Sequence, residues 1–369
     1  MIKKILKLDW KSIGAVVFLL ASGLIAIYSF SIGVETEDVN IFNKQLIFLL
    51  IGVGTFFFFS FFDYRTWMKY SNFLYLSSLF LLVAVLFFGQ NIRGTSGWFN
   101  FGFLNFQPVE LVKIFSVIFL AGYFVKKGNK KIGLKEFFQS FLIILPVLFL
   151  ILKQPDFGSA SVIIVIWLGM SLLAGVDKKY LFALFVIILV AFSLSWETVL
   201  KDYQKERVLT FLDPERDPLG SGYNVIQSMT AIGSGGITGK GIGKGSQSQL
   251  NFLPERHTDF VFASINEEFG MMGSFLVVGF YWILFYRFFE TVKNSRDRFG
   301  QLVASGVFIM FFYQVVINVG MNIGIVPVTG ISLPFLSYGG SFLIVSMISF
   351  GIVQNIWLKK RNMILPESE

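Results

Sequence analysis

Long apolar runs separated by short polar connections repeat along nearly the whole chain. Ten are long enough to cross about 30 Å of hydrocarbon. They fall at roughly residues 12–32, 45–62, 73–89, 109–125, 138–152, 159–175, 181–199, 260–286, 301–323 and 341–358. The pattern predicts an all-α integral membrane protein of about ten transmembrane helices. The first run is too long for a cleaved signal peptide, and no small-residue cleavage site follows it. Neither an internal repeat nor a separate soluble domain is visible, so residues 1–369 read as one polytopic membrane domain. One connection breaks the pattern. Residues 200–259, between the seventh and eighth runs, are polar and Gly-rich, yet they keep Tyr203, Phe211, Leu212, Tyr223, Phe252 and Leu253. Loops of that length are usually functional or disordered. The retained apolar residues predict partly ordered, re-entrant or amphipathic pieces packed on the bundle.

Composition supports the membrane reading. Hydrophobic residues make up 54 % of the chain and charged residues only 15 %, against roughly 25 % charged in soluble domains. Cysteine is absent and His257 is the single histidine, which excludes disulfides and thiolate metal sites and argues against a multi-histidine one. The net charge of +8 is explained by where the charges fall. With the N-terminus in the cytoplasm, every inner connection is basic: Lys3, Lys4, Lys7 and Lys11; Arg65 and Lys69; Lys126, Lys127, Lys130, Lys131 and Lys135; Lys178 and Lys179; Arg287, Lys293, Arg296 and Arg298; and Lys359, Lys360 and Arg361. Outer connections carry acids (Glu35, Glu37, Asp38) or almost no charge. This is the positive-inside pattern. It places both termini in the cytoplasm and residues 200–259 outside, and it leaves little support for nucleic-acid binding.

Several segments have the makings of a site. The tract GSGGITGKGIGKG at 233–245 fails the phosphate-loop pattern GxxxxGK[ST], because Ser234 and Gly241 stand where Gly and Ser or Thr are needed. No nucleotide is therefore expected. A mobile loop is one reading; Lys240 and Lys244 on flexible backbone approaching a phosphate is the other. NFLPERHTD at 251–259 runs into the eighth span. There Asp259 can cap the helix or act as a general base whose pKa burial raises and Arg256 lowers. Composition alone does not choose between them. Glu110 and Lys113, at i and i+3, share a helix face and can pair. Asp156 follows Pro155 at a break between spans. Charges at membrane depth usually face an interior or a watery cavity, so these three either pin helices together or floor a polar cavity. Trp98, in an outer loop, has an interfacial anchor as its default role. The Pro- and Gly-punctuated 332–340 reads as a re-entrant turn lining a cavity.

Taken together, these segments resemble the SEDS family of membrane glycosyltransferases, the group of RodA, FtsW and SpoVE. The matching pieces are GTSGW (94–98), FQPVEL (106–111), QPDFG (154–158), Arg207, FLDP (211–214), residues 220–227, 239–255, HTDF (257–260), EEFG (267–270) and PFLSYGG (334–340). The stretch 245–259 is similar to the RodA branch. Two departures are visible: Val109 where the family usually has Ser, and Ser96-Gly97 where Arg or Lys is common. The resemblance implies a peptidoglycan glycosyltransferase of the bacterial cytoplasmic membrane. It would polymerise lipid II at the outer face for cell elongation and rod shape, beside a class B penicillin-binding protein. The family's essential aspartate falls on Asp259. Candidate substrate-binding residues are Arg207, Lys240, Lys244, Glu255, Arg256 and Trp98, and Glu110, Lys113 and Asp156 form the cavity network. Arg207, Lys240, Lys244 or a divalent cation (Mg2+ or Mn2+) would stabilise the leaving diphosphate. A lipid-linked precursor flippase and a non-catalytic scaffold for the transpeptidase are the competing readings. Against the flippase, no paired broken repeats are seen.

Overall fold

In hydrocarbon every backbone N–H and C=O must find a partner within the protein, which an apolar run achieves by closing into a helix. The computed structural model describes residues 5–31, 36–92, 95–102, 105–128, 132–180, 182–184, 186, 209–220 and 222–360. Among them, nine helices are long and apolar enough to cross a membrane. They begin with α1 (Trp10–Phe30), α2 (Thr36–Phe61), α3 (Tyr64–Phe88), α4 (Pro108–Lys126), α5 (Leu134–Lys153) and α6 (Phe157–Ala174). Two shorter helices, α7 (Tyr223–Gly235) and α8 (Ser246–Gln249), follow in the long connection. The set closes with α9 (Val261–Asn294), α10 (Arg298–Asn322) and α11 (Gly340–Leu358). Asp63, Asp156 and Asp297 cap α3, α6 and α10 by accepting from the amides of Arg65, Ser159 and Gly300 at 3.1, 2.8 and 2.8 Å. α3 starts at Tyr64 and α9 ends at Asn294, well beyond the apolar runs at 73–89 and 260–286. These added turns carry Arg65, Lys69, Arg287 and Lys293, polar side chains that suit a helix once it has left hydrocarbon.

The bundle has two distinct ends. At one, Asp9 pairs with Arg287 at 2.8 Å, Arg65 with Asp297 at 2.9 Å, and Lys359 with Asp63. Arg298 there donates to the carbonyls of Leu173 and Ala174 at the close of α6. The charged residues among these all belong to segments that the charge pattern placed inside. The opposite end holds the starts of α2, α4, α6, α9 and α11 around one cavity. α6 and α9 thus both start at the cavity end, and α6 closes at the other. α7 is at the cavity end too, where Ser228 Oγ donates to the Asn322 carbonyl at 2.8 Å. The span read at 181–199 lies almost wholly outside the described residues.

Two features went unseen in the hydropathy pattern. A small antiparallel sheet, order β1-β2-β3, joins α3 to α4: β1 (Gln90–Ile92), β2 (Thr95–Asn100) and β3 (Asn105–Phe106), with Gln90 opposite Trp98 and Phe99 opposite Phe106. The second is a break in α9 at Gly270, whose φ is 68°. Residues 236–241 fill the break by backbone pairing. The amides of Lys240 and Gly241 donate to the carbonyls of Glu267 and Glu268 at 3.0 and 2.9 Å, and those of Met271 and Met272 donate to Gly236 and Ile237 at 2.9 and 3.1 Å. A Cβ on Gly239 would lie 2.1 Å from the Glu268 carbonyl oxygen. Part of the Gly-rich tract is therefore a backbone patch over a broken transmembrane helix, and the expectation of ordered pieces packed on the bundle holds for α7, α8 and this patch.

Candidate active site

The cavity at the second end has a volume of about 420 Å³, within the roughly 300–1,000 Å³ typical of small-molecule sites. It gathers Trp98, Glu110, Lys113, Asp156 and Asp259, five residues singled out from sequence and separated by up to 161 positions, into one wall. Four elements hold them. Glu110 and Lys113 lie on the first turns of α4 and pair at 2.8 Å, with side chains only 9 % and 5 % exposed. Burial at that level makes the pair obligatory, since either ion alone would lack both water and counter-ion. Asp156 caps α6. Trp98 stands on β2, its Nε1 donating to Thr95 Oγ1 at 3.3 Å. The re-entrant reading of 332–340 is also met: Ser332, Tyr338, Gly339 and Gly340 line the cavity, while Leu333, Phe335 and Leu336 are buried beneath them.

Asp259 lies one residue before the N-cap of α9, which is Phe260, and α9 has no side-chain cap. The nearby Ala263 amide is taken instead by Asn322 Oδ1 at 3.0 Å. Asp259 is thus not the helix cap, and its partly buried side chain lines the cavity. Its backbone is fixed from three sides. Glu255, at φ 52°, turns its carbonyl onto the amides of Thr258, Asp259 and Phe260 at 3.1, 3.1 and 3.3 Å. Asn318 and Asn322 of α10 each donate from Nδ2 to the Asp259 carbonyl at 3.0 Å. The re-entrant segment adds Ser337 Oγ to the Thr258 carbonyl at 2.6 Å and the Tyr338 amide to the His257 carbonyl at 2.8 Å. A carboxylate so anchored, beside a polar cavity at the rim of a membrane bundle, can take a proton from a hydroxyl placed in that cavity.

The remaining sequence candidates stand elsewhere. Lys240 Nζ is bound by Glu267 Oε1 and Ser246 Oγ, both at 2.9 Å. Glu267 also receives the amides of Gln247 and Ser248 at 2.9 Å, so this lysine helps seat α8. Lys244 is exposed and does not line the cavity. Arg256 is buried over the Phe30 ring at 5.0 Å, and its guanidinium donates to the carbonyls of Ser248 and Gln249. Glu255 accepts from Thr258 Oγ1 at 3.1 Å and is likewise absent from the cavity wall. Arg207 lies outside the described residues. Sequence reasoning missed Lys44, Gln107 and Thr329, which do line it. Lys44 had a visible signal: it is a basic residue at the outer end of a span, against the charge rule. Among the described residues no three His, Asp or Glu side chains are grouped as ligands for a metal ion.

Residues 11–362 match the family model FtsW/RodA/SpoVE, described as cell cycle protein. The chain is 40 % identical over 293 residues to the peptidoglycan glycosyltransferase MrdB of Escherichia coli K12, covering 79 % of this chain and 78 % of that protein. Among solved structures, a chain from a peptidoglycan synthase complex that coordinates polymerization and crosslinking superposes with a TM-score of 0.82 at 34 % identity, covering 96 % of this chain and 99 % of that one. The rod shape determining protein RodA of Thermus thermophilus superposes with a TM-score of 0.72 at 28 % identity, covering 96 % and 98 %.

Proposed function

The chain belongs to the FtsW/RodA/SpoVE family of multi-pass membrane proteins, and from that premise we propose that it is a peptidoglycan glycosyltransferase polymerising lipid II for cell elongation. The observation that carries this reading is the placing of Asp259 on the wall of a cavity it shares with Trp98, Asp156 and the Glu110–Lys113 pair. The reaction is a glycosyl transfer. Asp259 takes the proton from the 4-hydroxyl of the acceptor's N-acetylglucosamine. That oxygen bonds to the anomeric carbon of the donor's N-acetylmuramic acid with inversion, and the bond from that carbon to undecaprenyl diphosphate breaks. One carboxylate suffices, because diphosphate leaves without a general acid, whereas glycosidases need two.

The cavity lies at the bundle end opposite the basic connections, so it opens on the outer face of the bacterial cytoplasmic membrane, with both termini inside. Lipid tails stay in the bilayer while the headgroup enters from the side. The likeness to a chain of a synthase complex supports a transpeptidase partner, a class B penicillin-binding protein. The test is a gel analysis of products from purified protein and lipid II, with and without that partner. Glycan ladders are expected. Precursor that crosses a liposome without any chain growth, in both conditions, contradicts the proposal and supports a flippase.

A further inference from the structure

We infer that Lys44 holds the diphosphate of the lipid-linked substrate and product, in place of the lysines of the Gly-rich tract; this deepens the proposed reaction and rests on it. The charges of the cavity wall carry the inference. The described residues lining it include three carboxylates, Glu110, Asp156 and Asp259, and two ammonium groups, Lys44 and Lys113. Lys113 is engaged by Glu110 at 2.8 Å in a buried pair. Among the described residues Lys44 has no carboxylate within salt-bridge distance, which leaves its charge available to an anionic ligand. Lys240 is tied to Glu267, and Lys244 does not reach the wall.

Position supports the same assignment. The neighbouring Gln45 is buried; its Nε2 donates to the Ser337 carbonyl at 3.5 Å and its Oε1 accepts the Gly339 amide at 3.3 Å. Ser337 Oγ in turn donates to the Thr258 carbonyl at 2.6 Å. A short chain of hydrogen bonds therefore fixes the start of α2 relative to the backbone that bears Asp259. The cation and the proton acceptor are held on one frame, as a transfer needs when charge grows on the leaving diphosphate while the acceptor hydroxyl loses its proton. A lysine offers three donors on a compact charge and suits phosphate oxygens from many directions.

The test measures binding of undecaprenyl diphosphate, with undecaprenyl monophosphate as comparator, to the full chain in nanodiscs; no turnover is involved. Lys44→Met is expected to weaken diphosphate binding by about tenfold or more, the effect of losing a charge-assisted hydrogen bond. Lys44→Arg should stay near the parent, Lys244→Met should match it, and the monophosphate should be affected less. Each variant is checked for the parent's melting temperature and monodispersity. Diphosphate binding by folded Lys44→Met equal to the parent's, or no binding by the parent itself, overturns the inference. Lys44-dependent binding in a protein that never extends a glycan would instead overturn the proposed reaction and leave the binding site standing.

Discussion

An amide side chain carries two hydrogens on one nitrogen, and both asparagines beneath Asp259 direct them to carbonyls. Asn318 Nδ2 reaches the carbonyls of Asp259 and Ile331 at 3.0 and 2.8 Å; Asn322 Nδ2 reaches those of Asp259 and Asn318 at 3.0 and 2.8 Å. These bonds hold the main chain of Asp259 without touching its carboxylate. Asn322→Ala would also orphan the buried Ala263 amide, at a cost of about 1–3 kcal/mol. If the cost falls on the geometry of the transfer, kcat for lipid II polymerisation drops several-fold while KM stays within about twofold. Steady-state kinetics check this, and an unchanged kcat would show that the clamp is dispensable. Neither asparagine was legible as part of the site, because both lie within the ninth apolar run, about 60 positions downstream of the residue they hold. Asp259, Glu110, Lys113 and Asp156 were legible because ionisable groups at span edges are few. Arg256, beside Asp259's segment in sequence, donates to carbonyls of α8, a role that no local pattern announces.

At the scale of elements, the break in α9 explains a tract that sequence could only describe as glycine-rich. Read locally, 233–245 looks mobile; its pairing partners lie some 30 residues later, at 267–272. Gly239 has φ 81° and a Cβ there would press on the Glu268 carbonyl. Gly239→Val is therefore expected to lower the melting temperature in detergent, since the left-handed conformation alone costs about 1–2 kcal/mol with a side chain. Gly233, inside α7 with nothing within 4 Å of its Cβ direction, is the contrast. Gly233→Ala should raise stability by up to about 1 kcal/mol. Equal melting temperatures for the two variants would contradict the patch. The β1–β3 sheet escaped notice for a related reason: its strands run to 3, 6 and 2 residues, too short for an alternating pattern. The long helices needed no such partners, since apolar length alone specified them, and their ends erred only where polar turns extend past the hydrocarbon.

For the whole molecule, the two ends divide the work. Ion pairs and basic connections gather at one, and the cavity with its carboxylates at the other. Positive-inside counting could assign the ends but not the contents of the cavity, which depend on five helix starts meeting. The account stands on Asp259 as the group that takes the proton. Its most direct measurement is lipid II polymerisation by the purified Asp259→Asn chain, beside a thermal melt of the same sample. Asparagine keeps the shape and removes the basicity, so polymer formation should fall by at least about a hundredfold with the melt unchanged; a folded Asp259→Asn protein that polymerises at the parent rate contradicts the account.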